Sequence, residues 1–196
     1  MLRALRRAWK NYLASIPKSE VVNSIPPSQW DASENLPSVS NAKRKAFLDL
    51  LSAVYSHLSP GERNTLVASG AEYLTRGDDI DTALHSALVG DDDSRAEARH
   101  PRGFITCDWK GADELHWQAD ALRRAHGLTD DWESKNLELD EALENLGMWL
   151  REHQLHLFSF STGDNIVAFA VQEAQSASVR KNLGKLRIRF SVAGEA

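Results

Sequence analysis

The stretch Asn165-Ile166-Val167-Ala168-Phe169-Ala170-Val171 constrains the fold more than any other part of this chain. Along an extended segment, Val167, Phe169 and Val171 fall on one side and Ile166, Ala168 and Ala170 on the other, because side chains alternate across a strand. A strand that is apolar on both sides must be covered twice. The chain therefore has to supply helical layers on both faces of one sheet.

The neighbouring segments provide the rest of that sheet. Phe104 to Trp109 reads as a strand rich in β-branched and aromatic residues. Leu155 to Ser161 reads as a second strand, joined to Asn165–Val171 by the short connection Thr162-Gly163-Asp164. Between the first two strands, Gly111 to His126 reads as a helix closed by Gly127. A longer helix runs from about Leu137 to Glu152, with Leu139, Ala142, Leu143, Leu146, Trp149 and Leu150 at helical spacing. Glu173 to Leu183 reads as a short helix capped by Gly184. Leu186, Ile188, Phe190 and Val192 then alternate with polar residues as a final, edge strand. The order β-αα-β-β-α-β predicts an α+β fold with a ferredoxin-like antiparallel sheet.

Ahead of the sheet lie three helical segments. Phe47, Leu51, Val54 and Leu58 mark the first, and Ser59-Pro60-Gly61-Glu62 is a capping-box signature opening the second. Ile80, Ala83, Leu84, Ala87 and Leu88 mark the third, which Gly90 should end. We expect this helical half, residues 41–98, to pack on the sheet face left open by the later helices, so that 41–196 forms one body with a sheet domain over 99–196. Residues 1–40 read differently. Leu2, Leu5, Trp9, Leu13 and Ile16 form the apolar side of a basic amphipathic helix, and Pro17 to Ser40 is a Pro/Ser-rich strap. The helix is expected to dock on the domain, with attachment to a membrane surface or removal as a presequence as alternatives.

Composition narrows the functional classes. A formal charge of -5 repels nucleic acid, whose non-specific affinity comes from phosphate neutralisation, and weakly favours a basic or neutral partner. The single cysteine, Cys107, cannot form an intramolecular disulfide, which points to a reducing compartment and a cytoplasmic location. No apolar stretch approaches the length of about 20 residues needed for a membrane span.

Few residues suggest chemistry. Asp108, Lys110, Asp113 and Glu114 lie at a strand end and the start of the next helix, where carboxylates beside an ammonium could serve as an acid, a base or a metal site. The competing explanation is helix capping by Asp113 and Glu114. Cys107 lacks any local nucleophile motif and reads as an inert buried thiol. His153 and His156 lack the spacing of a zinc pair. The aspartates at 78, 79 and 81 and at 91–93 do not match a calcium loop. No phosphate-binding glycine loop is present. No metal and no cofactor is therefore assigned. Trp30, in the strap, and Trp132 are candidate binding residues, since aromatic side chains anchor interfaces.

Arg102-Gly103-Phe104-Ile105-Thr106-Cys107-Asp108-Trp109-Lys110, the helix around Glu114 and Trp117, and Ser161-Thr162-Gly163-Asp164-Asn165 resemble an uncharacterised bacterial domain-of-unknown-function family over the C-terminal half. The resemblance implies a bacterial cytoplasmic protein and assigns no activity. The residues favour a non-enzymatic protein of the small acidic kind that includes immunity proteins, acting on a protein partner. An enzyme using Asp108, Lys110 and Glu114, or a peripheral membrane protein using residues 2–16, are the alternatives.

Overall fold

The chain divides into two units, Met1–Ser38 and Val39–Ala196. The structure, a computed structural model, describes residues 39–75, 79–89, 103–108, 112–133, 137–163 and 165–195, all in the second unit. The basic helix, the strap with Trp30, Gly90 and the aspartates at 91–93 lie outside the described residues.

Three helices come first: α1 (Asn41–Val54), α2 (Pro60–Tyr73) and α3 (Ile80–Val89), with a short 3-10 turn at Tyr55–His57. Ser40 caps α1 through the Lys43 amide. Ser59 and Glu62 form a reciprocal capping box at α2, with proline in its first turn, as the sequence pattern requires. The sheet contains β1 (Phe104–Asp108), β2 (Leu155–Thr162), β3 (Asn165–Gln172) and β4 (Ser191–Ala193). Helices α4 (Ala112–Ala125) and α5 (Leu139–Glu152) connect β1 to β2, and α6 (Glu173–Leu186) connects β3 to β4.

Every strand pair is antiparallel and the order is β1-β3-β2-β4. Both faces are covered. Phe158, Phe160, Val167, Phe169 and Val171 point toward α1, α3 and α6, where Phe47, Leu50, Leu84, Leu88, Val179 and Leu183 complete one core. Ile105, Cys107, Leu157, Ala168 and Ala170 face α4 and α5, where Leu115, Leu122, Leu146 and Leu150 complete the other. The early helices thus share their face with α6 rather than covering it alone.

The ferredoxin-like expectation fails at the last strand. A ferredoxin-like sheet sets its final strand beside the first, whereas here β4 pairs with β2, at Leu157↔Ala193, Phe158↔Val192 and Ser159↔Ser191. At the β1 edge the Gln118 side chain hydrogen-bonds both backbone groups of Thr106, the middle residue of that strand. The consequence reaches the layers. The β1-to-β2 and β3-to-β4 connections step the same way across the sheet from oppositely directed strands, so two connections of one hand must lie on opposite faces. That places α4 and α5 on one side and α6 on the other.

The final strand is also shorter than the alternating pattern from Leu186 predicts. Helix α6 continues through Leu186, and Arg187, not Gly184, takes the left-handed position (φ 62°). The Ile188 and Arg187 amides donate to the Leu183 and Gly184 carbonyls, which is a Schellman ending with buried Leu183 and Ile188 in contact range of one core. Apparent period-two alternation arose from a helix end followed by an extended segment.

Helix α5 sits directly on β4 because Gly147 lacks a side chain. A Cβ there would come within 2.5 Å of the Ala193 carbonyl carbon.

Candidate functional site

Of the sequence-derived candidates, Asp108, Glu114 and Trp132 fall among the described residues. Asp108 ends β1 with its side chain exposed, and Glu114 is exposed on α4. Lys110 lies outside the described residues, as does the Asp113 side chain. Neither Asp108 nor Glu114 lines the clefts described below. Trp132 is only 7% exposed, and its indole N–H donates to Asn145 Oδ1 at 3.0 Å, so its ring belongs to the core between α4 and α5. Trp30 lies outside the described residues.

Cys107 is buried on the α4 face, with the Gln118 amide 3.6 Å from its sulfur. Burial, reinforced by the nearby Glu114 charge, pushes its thiol up to about 12. A thiol held neutral at ordinary pH is neither a nucleophile nor a metal ligand. His153 stacks edge-on against Trp149, while His156 turns to Glu195, so the two histidines diverge. Among the described residues no group of three His, Cys, Asp or Glu side chains could hold a metal ion. No described helix is long and apolar enough to cross a membrane.

Two arrangements escaped the sequence. His57 and His126 meet with ring centroids 4.5 Å apart, and burial followed by the neighbouring imidazole lowers His126 to about 4. Their separation along the chain leaves no local motif to find. The second arrangement is a polar clamp on residues 194 and 195. Glu144 Oε2 accepts the Gly194 amide at 2.6 Å, and Arg151 donates to the Gly194 carbonyl. Arg180 hydrogen-bonds Glu195, and His156 Nδ1 lies 3.4 Å from the same carboxylate, which is held below its usual range chiefly by Arg180. The clamp fastens β4, whose three residues give it little burial of its own.

The two sheet edges are finished differently. In the register of β1, β3 and β2, the tight turn at Gly163 pairs Thr162 with Asn165, so even-numbered β2 residues bond toward β3. Odd-numbered β2 residues then direct their backbone groups outward. Leu157 and Ser159 find β4, and the pairing stops there, leaving Ser161 as the next outward rung. By the same count Thr106 is an outward rung of β1, and there Gln118 closes it: Oε1 accepts the Thr106 amide and Nε2 donates to its carbonyl, both at 2.7 Å.

Two clefts flank the open rung. One, of about 560 Å³, lies under the start of α5 and is lined by Asp140, Leu143, Glu144, Ser161, Ile166 and Arg189 among others. The second, of about 380 Å³, is on the other face, between Asp79 and Asp81 at the start of α3 and Arg187 and Arg189. Ser161 and Arg189 line both. The described lining of the first cleft has an apolar floor at Leu143 and Ile166, a carboxylate rim at Asp140 and Glu144, and three serines.

No curated protein and no solved structure shows a significant match to the chain. A family model does, over residues 69–193, and it is described as a domain of unknown function, DUF6630. That match takes in α3 through β4 and more than half of the chain, so the protein belongs to the DUF6630 family.

Proposed function

We propose that this protein is a non-enzymatic protein-interaction module, of the broad class that includes small acidic immunity proteins. One observation supports the reading: where the pairing of β2 with β4 ends, two clefts carrying the carboxylates of Asp140 and Glu144 on one face and Asp79 and Asp81 on the other flank Ser161 and Arg189. Carboxylates grouped on an exposed rim favour a cationic surface of a partner. The net charge of -5 supports a basic or neutral partner. The neutral, buried Cys107 suits a reducing, cytoplasmic setting.

Affinity purification of the full chain from its native host, with quantitative mass spectrometry, tests the reading. A single partner enriched over an unrelated acidic bait is the expected result. An enrichment profile indistinguishable from that bait would remove the reading.

A further inference from the structure

The larger cleft carries charges of both signs from different elements, Asp140 and Glu144 from α5 and Arg189 from the segment before β4. From it we infer a binding site for a small zwitterion, an amino acid or dipeptide with an aliphatic side chain. The ammonium of the ligand sits against Asp140 and Glu144, its carboxylate on Arg189, and its side chain on Leu143 and Ile166. The inference goes beyond the interaction reading and stands whether or not a protein partner is found.

Asp140 and Glu144 stand four residues apart on α5, hence on one side of the helix, and both are exposed. Arg189 is exposed as well, yet neither it nor any other described cation lies within ion-pairing distance of the two carboxylates. Opposite charges that share a cleft without meeting suit a ligand that carries the complementary pair. A simple amine would leave Arg189 unanswered, and a simple acid would face two carboxylates. Glu144 spends one oxygen, Oε2, on the Gly194 amide and keeps Oε1. Ser159 and Ser191 lie directly opposite one another on the α5 face, and their hydroxyls have no hydrogen-bond partner among the described residues. A hydroxyl both donates and accepts, so this pair can serve the carboxylate and the ammonium alike. Leu143 is buried and Ile166 half-buried, which gives an aliphatic side chain an apolar floor to cover. The volume of about 560 Å³ falls within the range of roughly 300–1,000 Å³ usual for small-molecule sites.

The probes are L-leucine and leucyl-glycine, titrated separately into the isotopically labelled full chain and followed by amide NMR shifts. At least one should give saturable shifts concentrated at Ser159, Ser191 and the first turn of α5. Isoamylamine, which is leucine without its carboxylate, and isocaproate, which is leucine without its ammonium, should each bind about threefold more weakly or worse, the factor for one exposed ionic contact. Asp140→Asn should weaken the zwitterion and isoamylamine but not isocaproate. Arg189→Gln should weaken the zwitterion and isocaproate but not isoamylamine. Absence of saturable shifts in the cleft with both zwitterions, or binding of the singly charged analogues as tight as theirs, overturns the inference. So does a uniform weakening of all the ligands in either variant, which a merely structural change would produce.

Discussion

Gln118 and Thr106 form a closed pair: the side-chain amide of one, fully inside α4, occupies both backbone groups of the other at 2.7 Å each. Gln118 is 2% exposed, so neither group of Thr106 has water to fall back on. A glutamine side chain here does the work of a neighbouring strand. Replacing it with alanine leaves a buried amide and carbonyl unsatisfied, which costs about 1–3 kcal/mol. Urea denaturation of Gln118→Ala should show that loss, and size-exclusion chromatography should show self-association through the newly bared β1 edge. Wild-type stability in the variant would mean the hydrogen bonds are not the edge's protection.

Gly147 allows α5 and β4 to meet. An alanine normally favours a helix over glycine by about 1 kcal/mol. At this position its Cβ would lie 2.5 Å from the Ala193 carbonyl carbon, against backbone that cannot rotate away. Gly147→Ala should therefore destabilise, by roughly 1–3 kcal/mol in the manner of an overpacked core, with β4 resonances shifting most. A more stable variant would refute the close approach.

His126 makes stability depend on pH. Its folded value, about 4, lies below the ordinary 6.5, so the folded chain resists a proton that the unfolded chain takes up. Stability is complete above about 6.5 and falls as pH drops from 6.5 toward 4. The full loss approaches about 3 kcal/mol. Guanidinium unfolding at a series of pH values should show the slope, and His126→Gln should flatten it. An unchanged slope in the variant would assign the dependence to other groups.

Cys107 should resist alkylation. With its thiol near 12, the thiolate is a trace species at pH 8. Iodoacetamide followed by mass spectrometry should leave the native protein unmodified and label it rapidly in denaturant. Fast labelling of the folded chain would show an accessible thiolate.

The comparison of sequence with structure follows the range of the forces involved. The two-sided apolar pattern at Ile166–Val171 required two covers, and both cores are present. The capping box at Ser59 and Glu62 was legible because its chemistry is complete within four residues. The position of β4 was not, because its contacts are with β2, with Gly147 of α5 and through Glu144 and Arg151 to Gly194, all distant in sequence. Leu186 and Ile188 imitated a strand because a Schellman ending closed by an arginine carries no glycine to mark it. The Asp108, Lys110 and Glu114 grouping was read from neighbours in sequence, whereas the clefts assemble residues from α3, α5, β2 and the segment before β4. Long-range assembly of that kind leaves no local spacing to read.

The contrast between the two edges is tested most directly by residue-resolved amide hydrogen exchange on the protein alone. Ser159 and Thr106 should exchange slowly, the first held by β4 and the second by Gln118, while the Ser161 amide should exchange close to the rate of an unprotected peptide. A Ser161 amide as protected as that of Ser159 would contradict the end of the β2–β4 ladder at Ser159, and with it the contrast between the two edges.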